Sequence, residues 1–250
     1  MSHSHNPIII YDVDGPLIPS TGPRLLAIKY FKNPWFQWNE EAKSKINSLE
    51  IIRMFESCET ENNLTYIKEV HKKFKKLLPK RRKRWAFFIR YGLKFRKYEY
   101  LYGDFIHGAV DIIKNLDDKG YIQGICSNSE KHRIVKWLKK KKIRDIIQCF
   151  TSRTHKHLYG LKPSPGPLLG VLALIKRKYG LDKIERKRTV FIGDNITDII
   201  AAKKAGMPSV GVLSGHAYKH ELVQENPDFI INDVTELPQI LPQLFPEFAT

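Results

Sequence analysis

The stretch Pro7-Ile8-Ile9-Ile10-Tyr11-Asp12-Val13-Asp14-Gly15 decides the fold of this chain. Its apolar, β-branched run is typical of a buried strand, and the Asp-Gly pair that follows is typical of a turn. From residue 103 onward, similar runs alternate with helical patterns. The predicted strands are residues 121–126, 146–150, 189–192, 208–213 and 229–231, and the predicted helices are residues 109–116, 130–141, 165–178, 196–205 and 216–224. This alternation predicts an α/β fold with a Rossmann-like, mostly parallel sheet covered by helices on both faces.

A different pattern fills the long interval between the first strand and the rest of the sheet. Between residues 16 and 102, apolar side chains recur at helical spacing, with Lys and Glu between them. A connection between parallel strands needs only about a dozen residues. We therefore predict that residues 16–102 form an all-helical domain inserted into a core made of residues 1–15 and 103–250. The tryptophans Trp35, Trp38 and Trp85 are predicted to lie in the interior of the inserted domain.

The positive charge of the chain is concentrated in one segment. The chain has 43 Lys and Arg, 26 Asp and Glu, and a net charge of +17. Residues 72–97, hereafter the basic segment, hold 13 of these Lys and Arg and no acidic residue, with aromatic and aliphatic side chains between them. Three interpretations remain open: a solvated charged face, a surface that recruits an anionic substrate or a polyanion such as nucleic acid, and attachment to a membrane surface.

Composition also bears on compartment. The longest nearly apolar runs have about ten residues, whereas a membrane-spanning helix needs about 20, so we expect no transmembrane segment. No secretory signal is visible at the N-terminus. The three cysteines, Cys58, Cys126 and Cys149, are far apart and form no CxxC pair. We therefore expect a cytoplasmic protein with inert, reduced thiols.

Polar side chains follow the ends of the predicted strands, where ligands bind in open α/β sheets. Four carboxylates at one edge would repel one another unless a cation were present, and carboxylate and backbone oxygens suit Mg²⁺ better than zinc. A hydroxyl and the N–H groups of a helix start suit phosphate oxygens. These parts indicate phosphoryl transfer, in which a carboxylate can act as the nucleophile. The residues are Asp12, Asp14, Ser127, Asn128, Asp194 and Asp198 at strand ends, and Lys162 in the loop Gly160-Leu161-Lys162-Pro163-Ser164-Pro165.

These motifs, in this order, resemble those of the haloacid dehalogenase-like (HAD) hydrolase superfamily. Asp12-Val13-Asp14-Gly15 is similar to the first motif of that family, Ser127 to the second, Lys162 to the third, and Gly193-Asp194 through Asp198 to the fourth. The stretch from Ala205 to Gly215 is similar to the phosphoglycolate phosphatase-like branch. In that branch a helical cap domain follows the first motif, which corresponds here to residues 16–102.

The resemblance implies a role for each site residue. Asp12 would be the nucleophile and Asp14 the acid and base, and Asp14 favours phosphatase over dehalogenase chemistry. Mg²⁺ would be held by the Asp12 carboxylate, the Asp14 backbone carbonyl and Asp194. The phosphoryl oxygens would be held by Ser127, Asn128 and Lys162. Asp198 would orient Lys162 or a metal-bound water.

The expected function is a Mg²⁺-dependent phosphatase that hydrolyses a small phosphomonoester, with phosphoglycolate the best single candidate, through an aspartyl-phosphate intermediate. Two alternatives stay open: a nucleic-acid-binding HAD protein or polynucleotide-end phosphatase that uses the basic segment, and a phosphomutase. The sequence favours the small substrate over nucleic acid, because outside the basic segment the charges nearly balance, and it leaves the oligomeric state open. No carboxylate or cysteine cluster joins the spaced pairs His155 and His157 or His216 and His220, so we interpret them as ordinary surface or loop histidines.

Overall fold

Strand β1 (Ile8–Tyr11) lies in the middle of a six-stranded sheet whose order is β3-β2-β1-β4-β5-β6. Every neighbouring pair of strands is parallel. The computed structural model describes residues 6–56 and 63–248. The other strands are β2 (Ile122–Cys126), β3 (Cys149–Thr151), β4 (Thr189–Gly193), β5 (Ser209–Val212) and β6 (Phe229–Ile231). The predicted Rossmann-like parallel sheet is therefore confirmed.

Alternate residues of β1 pack into two different hydrophobic clusters. Ile9 and Tyr11 belong to one cluster and Ile8 and Ile10 to the other, and all four are buried. Successive side chains of a strand point to opposite faces, so a strand that is apolar throughout must be covered on both. Buried side chains are contributed to these clusters by helices α6 (Ala109–Asp118), α7 (Lys131–Lys140), α9 (Gly166–Tyr179), α10 (Ile196–Ala205) and α12 (Leu237–Leu244). The described residues after 104 also form α8 (Lys156–Tyr159) and α11 (Lys219–Gln224).

Most predicted boundaries lie within two residues of the observed ones, and two predicted elements begin three residues too early. The strand predicted over 146–150 is displaced to Cys149–Thr151. Ile147 is fully buried without belonging to a strand, because an apolar side chain can enter the core from a turn as well as from a sheet. The helix predicted over 216–224 begins at Lys219, after a turn that contains His216.

The chain divides into two compact units, residues 1–19 with 105–250 and residues 20–104. This division falls four residues after the boundary expected from the sequence. The reason is that Leu17 and Ile18 are buried in the cluster that covers one face of the sheet, and Leu17 accepts a backbone hydrogen bond from Ile106. The assignment of the two units as catalytic core and cap stays a prediction.

In the unit of residues 20–104, the described residues form five α-helices around an aromatic interior. The helices are α1 (Thr21–Phe31), α2 (Glu40–Ser44), α3 (Ser48–Glu56), α4 (Asn63–Lys73) and α5 (Arg81–Tyr102). Phe36, Trp38 and Phe87 pack there with ring centroids 5.2 to 6.2 Å apart. The expectation that all three tryptophans are interior is right for Trp38 and wrong for Trp35 and Trp85, which are 45% and 39% exposed.

In the described part of the chain, no helix has both the length and the apolarity that a membrane crossing requires. Cys126 and Cys149 are buried free thiols. Burial raises the pKa of Cys126 to about 12, so this thiol is protonated at neutral pH and a poor nucleophile. Cys58 lies outside the described residues. A cytoplasmic location stays a prediction.

Candidate active site

From β1 the sheet grows in two directions, with β2 and β3 on one side and β4, β5 and β6 on the other. The candidate site lies beyond the carboxyl ends of the strands at this reversal point. Tyr11 of β1 is level with Ile125 of β2 and with Ile192 of β4. The residues that follow these three positions therefore emerge side by side. Open parallel sheets bind ligands in the crevice beyond such a reversal point, because the loops diverge there.

Asp12 is the first residue after β1 and is almost completely buried. Its backbone N–H donates to the Ile192 carbonyl at 2.8 Å, which extends the pairing of β1 with β4 by one bond. Its Oδ1 accepts a hydrogen bond from the Val13 N–H at 2.7 Å. Burial raises the pKa of Asp12 to about 6, an effect that Lys162 partly offsets. Backbone and sheet thus hold this carboxylate in one orientation.

Lys162 bridges two of the buried carboxylates. Its Nζ lies 2.9 Å from Oδ2 of Asp12 and 2.5 Å from Oδ1 of Asp198. Burial disfavours the ammonium form, but the two carboxylates outweigh burial and raise the pKa of Lys162 above its ordinary value. Lys162 therefore carries its positive charge within the site.

The loop that carries Lys162 is tied to the loop after β2. The Asn128 side-chain amide donates to the Lys162 carbonyl at 3.3 Å and accepts from the Lys162 N–H at 3.2 Å. The resemblance implied a phosphate-binding role for the Asn128 backbone, and the structure shows the Asn128 side chain fixing the lysine loop. Ser127 is buried beside it, and its Oγ accepts a hydrogen bond from the Ser129 N–H at 3.2 Å.

Three carboxylates converge beyond β1 and β4. Asp12, Asp194 and Asp198 each offer an oxygen within 4.8 Å of the others, and all three are buried. Oδ2 of Asp198 accepts the backbone N–H groups of Asp194 and Asn195, both at 3.1 Å. Oδ2 of Asp198 is therefore bound by the backbone that leads into α10, and Oδ1 lies against Lys162.

His216 lies against Asp194, contrary to its interpretation as an ordinary loop histidine. The His216 N–H donates to Oδ2 of Asp194 at 2.8 Å, and its Nδ1 lies 3.3 Å from the same oxygen. His216 is 6% exposed, whereas His157 and His220 are exposed as expected. The two residues are 22 positions apart, so no local spacing could have indicated this contact.

Two glycines allow the backbone to approach the Asp194 carboxylate. A Cβ on Gly15 would lie 2.2 Å from Cγ of Asp194, and one on Gly215 would lie 2.0 Å from its Oδ2. Gly15 also has φ +97°, a conformation that side chains rarely adopt. Gly15, which predicted a turn together with Asp14, thus also leaves room for the carboxylate of Asp194.

Asp14 points to a different set of partners from the other three carboxylates. Arg133 binds it in a two-pronged ion pair, with Nη1 2.6 Å from Oδ2 and Nη2 on Oδ1. The Ser129 hydroxyl donates to Oδ2 at 2.6 Å. Burial opposes ionisation of Asp14, but Arg133 and Ser129 outweigh it and lower the pKa of Asp14 below its ordinary value.

Ser129 and Arg133 belong to none of the motifs that indicated the site. Their position in the sequence could have indicated them. Ser129 directly follows the Ser127-Asn128 pair, and Arg133 lies four residues after Ser129, in the first turn of α7. The structure brings the other predicted residues to the same sheet edge. The arrangement combines a fixed carboxylate, a charged lysine and an all-oxygen acidic cluster, which suits the transfer of a phosphoryl group.

Comparisons with known proteins agree with this chemistry. A family model described as haloacid dehalogenase-like hydrolase matches residues 9–212. Pyrophosphatase PpaX of Anoxybacillus flavithermus is 29% identical over 131 residues, which are 52% of this chain and 57% of that protein. A phosphoglycolate phosphatase of Haemophilus influenzae is 28% identical over 131 residues, 52% of this chain and 54% of that protein. The chain thus spans about half the length of the curated relatives it matches.

Solved structures extend the likeness over nearly the whole chain. The crystal structure of a predicted phosphoglycolate phosphatase from Haemophilus somnus has a TM-score of 0.63 and 21% identity, covering 94% of this chain and 98% of that one. A HAD family hydrolase from Deinococcus radiodurans, solved with bound phosphate and sodium, has a TM-score of 0.67 and 18% identity, covering 96% and 97%. At these identities the likeness establishes a shared fold.

Proposed function

The chain belongs to the haloacid dehalogenase-like hydrolases, as its motifs predicted, and from this premise we propose that it is a Mg²⁺-dependent phosphatase. It hydrolyses a small phosphomonoester through an aspartyl-phosphate formed on Asp12. The observation that carries the proposal is the position of Lys162 between the buried carboxylates of Asp12 and Asp198, next to Asp194. A nucleophile, a phosphate-binding cation and oxygen ligands for a metal are the groups that this reaction needs, and these residues would supply them.

The residues present fit Mg²⁺. Asp12, Asp194 and the backbone carbonyl of Asp14 would hold the ion, because hard oxygen donors are the ligands that Mg²⁺ prefers. Asp198 orients Lys162 through its Oδ1, while its Oδ2 accepts two backbone N–H groups. The space that Gly15 and Gly215 leave beside Asp194 agrees with this assignment. When bound, the ion supplies positive charge that offsets the phosphoryl oxygens and the acidic cluster.

Asp12 and Asp14 divide the chemistry between them. An oxygen of Asp12 forms a bond to phosphorus, the ester P–O bond breaks, and Asp14 gives its proton to the leaving oxygen. Water then attacks phosphorus, its proton passes to Asp14, and the bond to Asp12 breaks to release phosphate. Lys162, Ser127 and the backbone of Asn128 hold the phosphoryl oxygens during both steps.

Arg133 connects substrate binding to the protonation of Asp14. While Arg133 pairs with Asp14, the pKa of Asp14 is lowered, and the acid step requires a protonated carboxyl. An anionic group on the substrate competes for the guanidinium, because carboxylates and phosphates bind Arg in the same two-pronged geometry. Phosphoglycolate carries such a carboxylate, which supports it as the first substrate to test.

We expect activity to depend on a small divalent ion. After treatment with EDTA, phosphate release should fall to background, and Mg²⁺ should restore it. Ca²⁺ takes more ligands at longer distances than Mg²⁺, so it should compete with Mg²⁺ for the site and support little turnover. Phosphate release in EDTA, with each metal added back singly and together, measures this. Full activity in EDTA would contradict the metal assignment.

We also expect a preference for small phosphorylated carboxylic acids. A panel of phosphomonoesters and pyrophosphate, assayed for phosphate release, should give the highest kcat/KM for phosphoglycolate or a close analogue. Arg133→Gln should raise KM for that substrate by about tenfold or more, the usual worth of a charged hydrogen bond. KM for p-nitrophenyl phosphate, which lacks a second anionic group, serves as the matched control and should change little. Equal changes for both substrates would contradict recognition by Arg133.

A further inference from the structure

Helix α5 carries exposed cations of the basic segment on its surface. Six exposed cations lie on α5 or directly before it, and none of them forms an ion pair with a carboxylate among the described residues. These cations are Lys80, Arg81, Arg82, Arg90, Lys94 and Lys97. Arg84 differs from them because it is buried and donates to the carbonyls of Leu78 and Pro79, so it stabilises the local fold. The exposed charges therefore form a surface without local neutralisation.

Apolar side chains run through the middle of this charged surface. Trp85, Ile89 and Leu93 are spaced four residues apart on α5 and are 39%, 56% and 74% exposed. Residues four apart lie on one face of a helix, so these three form a stripe, hereafter the apolar stripe. The interior of the helical unit already has its own contacts with α5, through the buried residues Phe87 and Tyr91. The apolar stripe thus belongs to a second, outward face.

Charge and apolar surface together restrict what can cover this face. A second copy of the chain would bring two unneutralised basic segments together, which opposes association through this face. A polyanion would satisfy the charges but not the aliphatic side chains of Ile89 and Leu93. An anionic lipid bilayer offers both, with phosphate groups at its surface and acyl chains beneath them.

The tryptophans near the basic segment offer little to nucleic acid. Trp35 has Lys83 Nζ 3.4 Å and the Arg90 guanidinium 4.2 Å from its ring centroid. The Trp85 ring packs at 4.4 Å from the ring of His71. Proteins that bind single strands use free aromatic faces for stacking, and these rings already have neighbours.

We propose that α5 attaches the protein to an anionic lipid bilayer. The apolar stripe enters the boundary between headgroups and acyl chains, and the surrounding Lys and Arg contact lipid phosphates. Amphipathic helices with Trp and Leu on one face and cations beside it bind membrane surfaces in this way, without crossing them. This attachment is independent of the phosphatase chemistry and goes beyond it.

The test measures binding of the full chain to vesicles by sedimentation. Phosphatidylcholine vesicles that contain phosphatidylglycerol are compared with vesicles of pure phosphatidylcholine at about 0.15 M salt. We expect binding to the anionic vesicles that is about a hundredfold tighter than to the neutral ones. Ile89→Gln with Leu93→Gln, which changes no charge, should weaken anionic binding by about tenfold or more. Changing Lys80, Arg81 and Arg82 to Gln should weaken it by about fivefold per charge.

Matched controls are available on the other unit. Lys176, Arg177 and Lys178 are three consecutive exposed cations on α9, and their change to Gln removes the same charge. Leu158→Gln removes a leucine that is 75% exposed. Both controls should bind vesicles within about twofold of the wild type. Circular dichroism melts and p-nitrophenyl phosphate hydrolysis confirm that every variant is folded.

Four results would overturn the proposal. The first is equal binding to neutral and anionic vesicles, or none to either. The second is a loss of binding in the α9 control as large as in the basic-segment variant. The third is tighter binding of single-stranded or duplex oligonucleotides than of vesicles, unaffected by the Ile89 and Leu93 changes, which would identify nucleic acid as the partner. The fourth is a dimer in light scattering that these two changes dissociate.

Discussion

Replacement of Asp12 by Asn is expected to abolish phosphate release and to leave the fold intact. The amide cannot attack phosphorus, and the loss of a nucleophile can lower kcat by about a millionfold. The side-chain oxygen of Asn can still accept the Val13 N–H bond that Asp12 accepts at 2.7 Å. Burial raises the pKa of Asp12 to about 6, so the carboxylate is still mostly ionised at pH 7 but its ionisation favours the unfolded chain, and Asn should be at least as stable.

Three measurements distinguish loss of the nucleophile from loss of structure. Steady-state phosphate release gives the activity, and urea denaturation gives the free energy of unfolding. Mass spectrometry of acid-quenched reactions should find phosphate on Asp12 in the wild type and none in the variant. Asp118→Asn, on the exposed side of α6, is the matched control and should behave as the wild type. More than a tenth of the wild-type activity in Asp12→Asn would exclude the covalent mechanism.

Replacement of Lys162 by Met is expected to lower both activity and stability. Lys162 is the cation between two buried carboxylates, so its removal leaves Asp12 and Asp198 without their counterion. Breaking a buried pair in this way typically costs about 3–5 kcal/mol. The loss of a group that stabilises the transferring phosphoryl oxygens typically lowers kcat by about a hundredfold to a thousandfold.

The second change Asp198→Asn separates these two effects. The double variant loses one positive and one negative charge, so the site regains the net charge of the wild type, and the Asn oxygen can still accept a backbone N–H at the start of α10. We expect urea denaturation to show that much of the lost stability returns, whereas phosphate release stays low. Recovery of activity in the double variant would show that Lys162 only balances charge and does not hold phosphate.

The placement of the acidic residues could be predicted because strand ends in a parallel sheet share an edge. Asp12 and Asp194 each follow an apolar run that is buried on both faces, and such runs are recognisable without any partner. The glycine after Asp14 was also readable, as part of a turn. Helix α12 was not predicted; Pro242 lies inside it, where proline is normally unfavourable, whereas Pro238 is in the first turn, where proline is tolerated.

The sequence by itself determined the sheet, the insertion and the residues at the strand ends, since periodicity and turn residues act over a few positions. Only the tertiary structure decided what those residues touch. Arg133 meets Asp14 across 119 positions of the chain, and His216 turns inward to Asp194. The tertiary structure also decided that Trp85, Ile89 and Leu93 face outward. A helical spacing groups residues on a face, but which face is buried depends on the elements that pack against it, and local sequence does not record them.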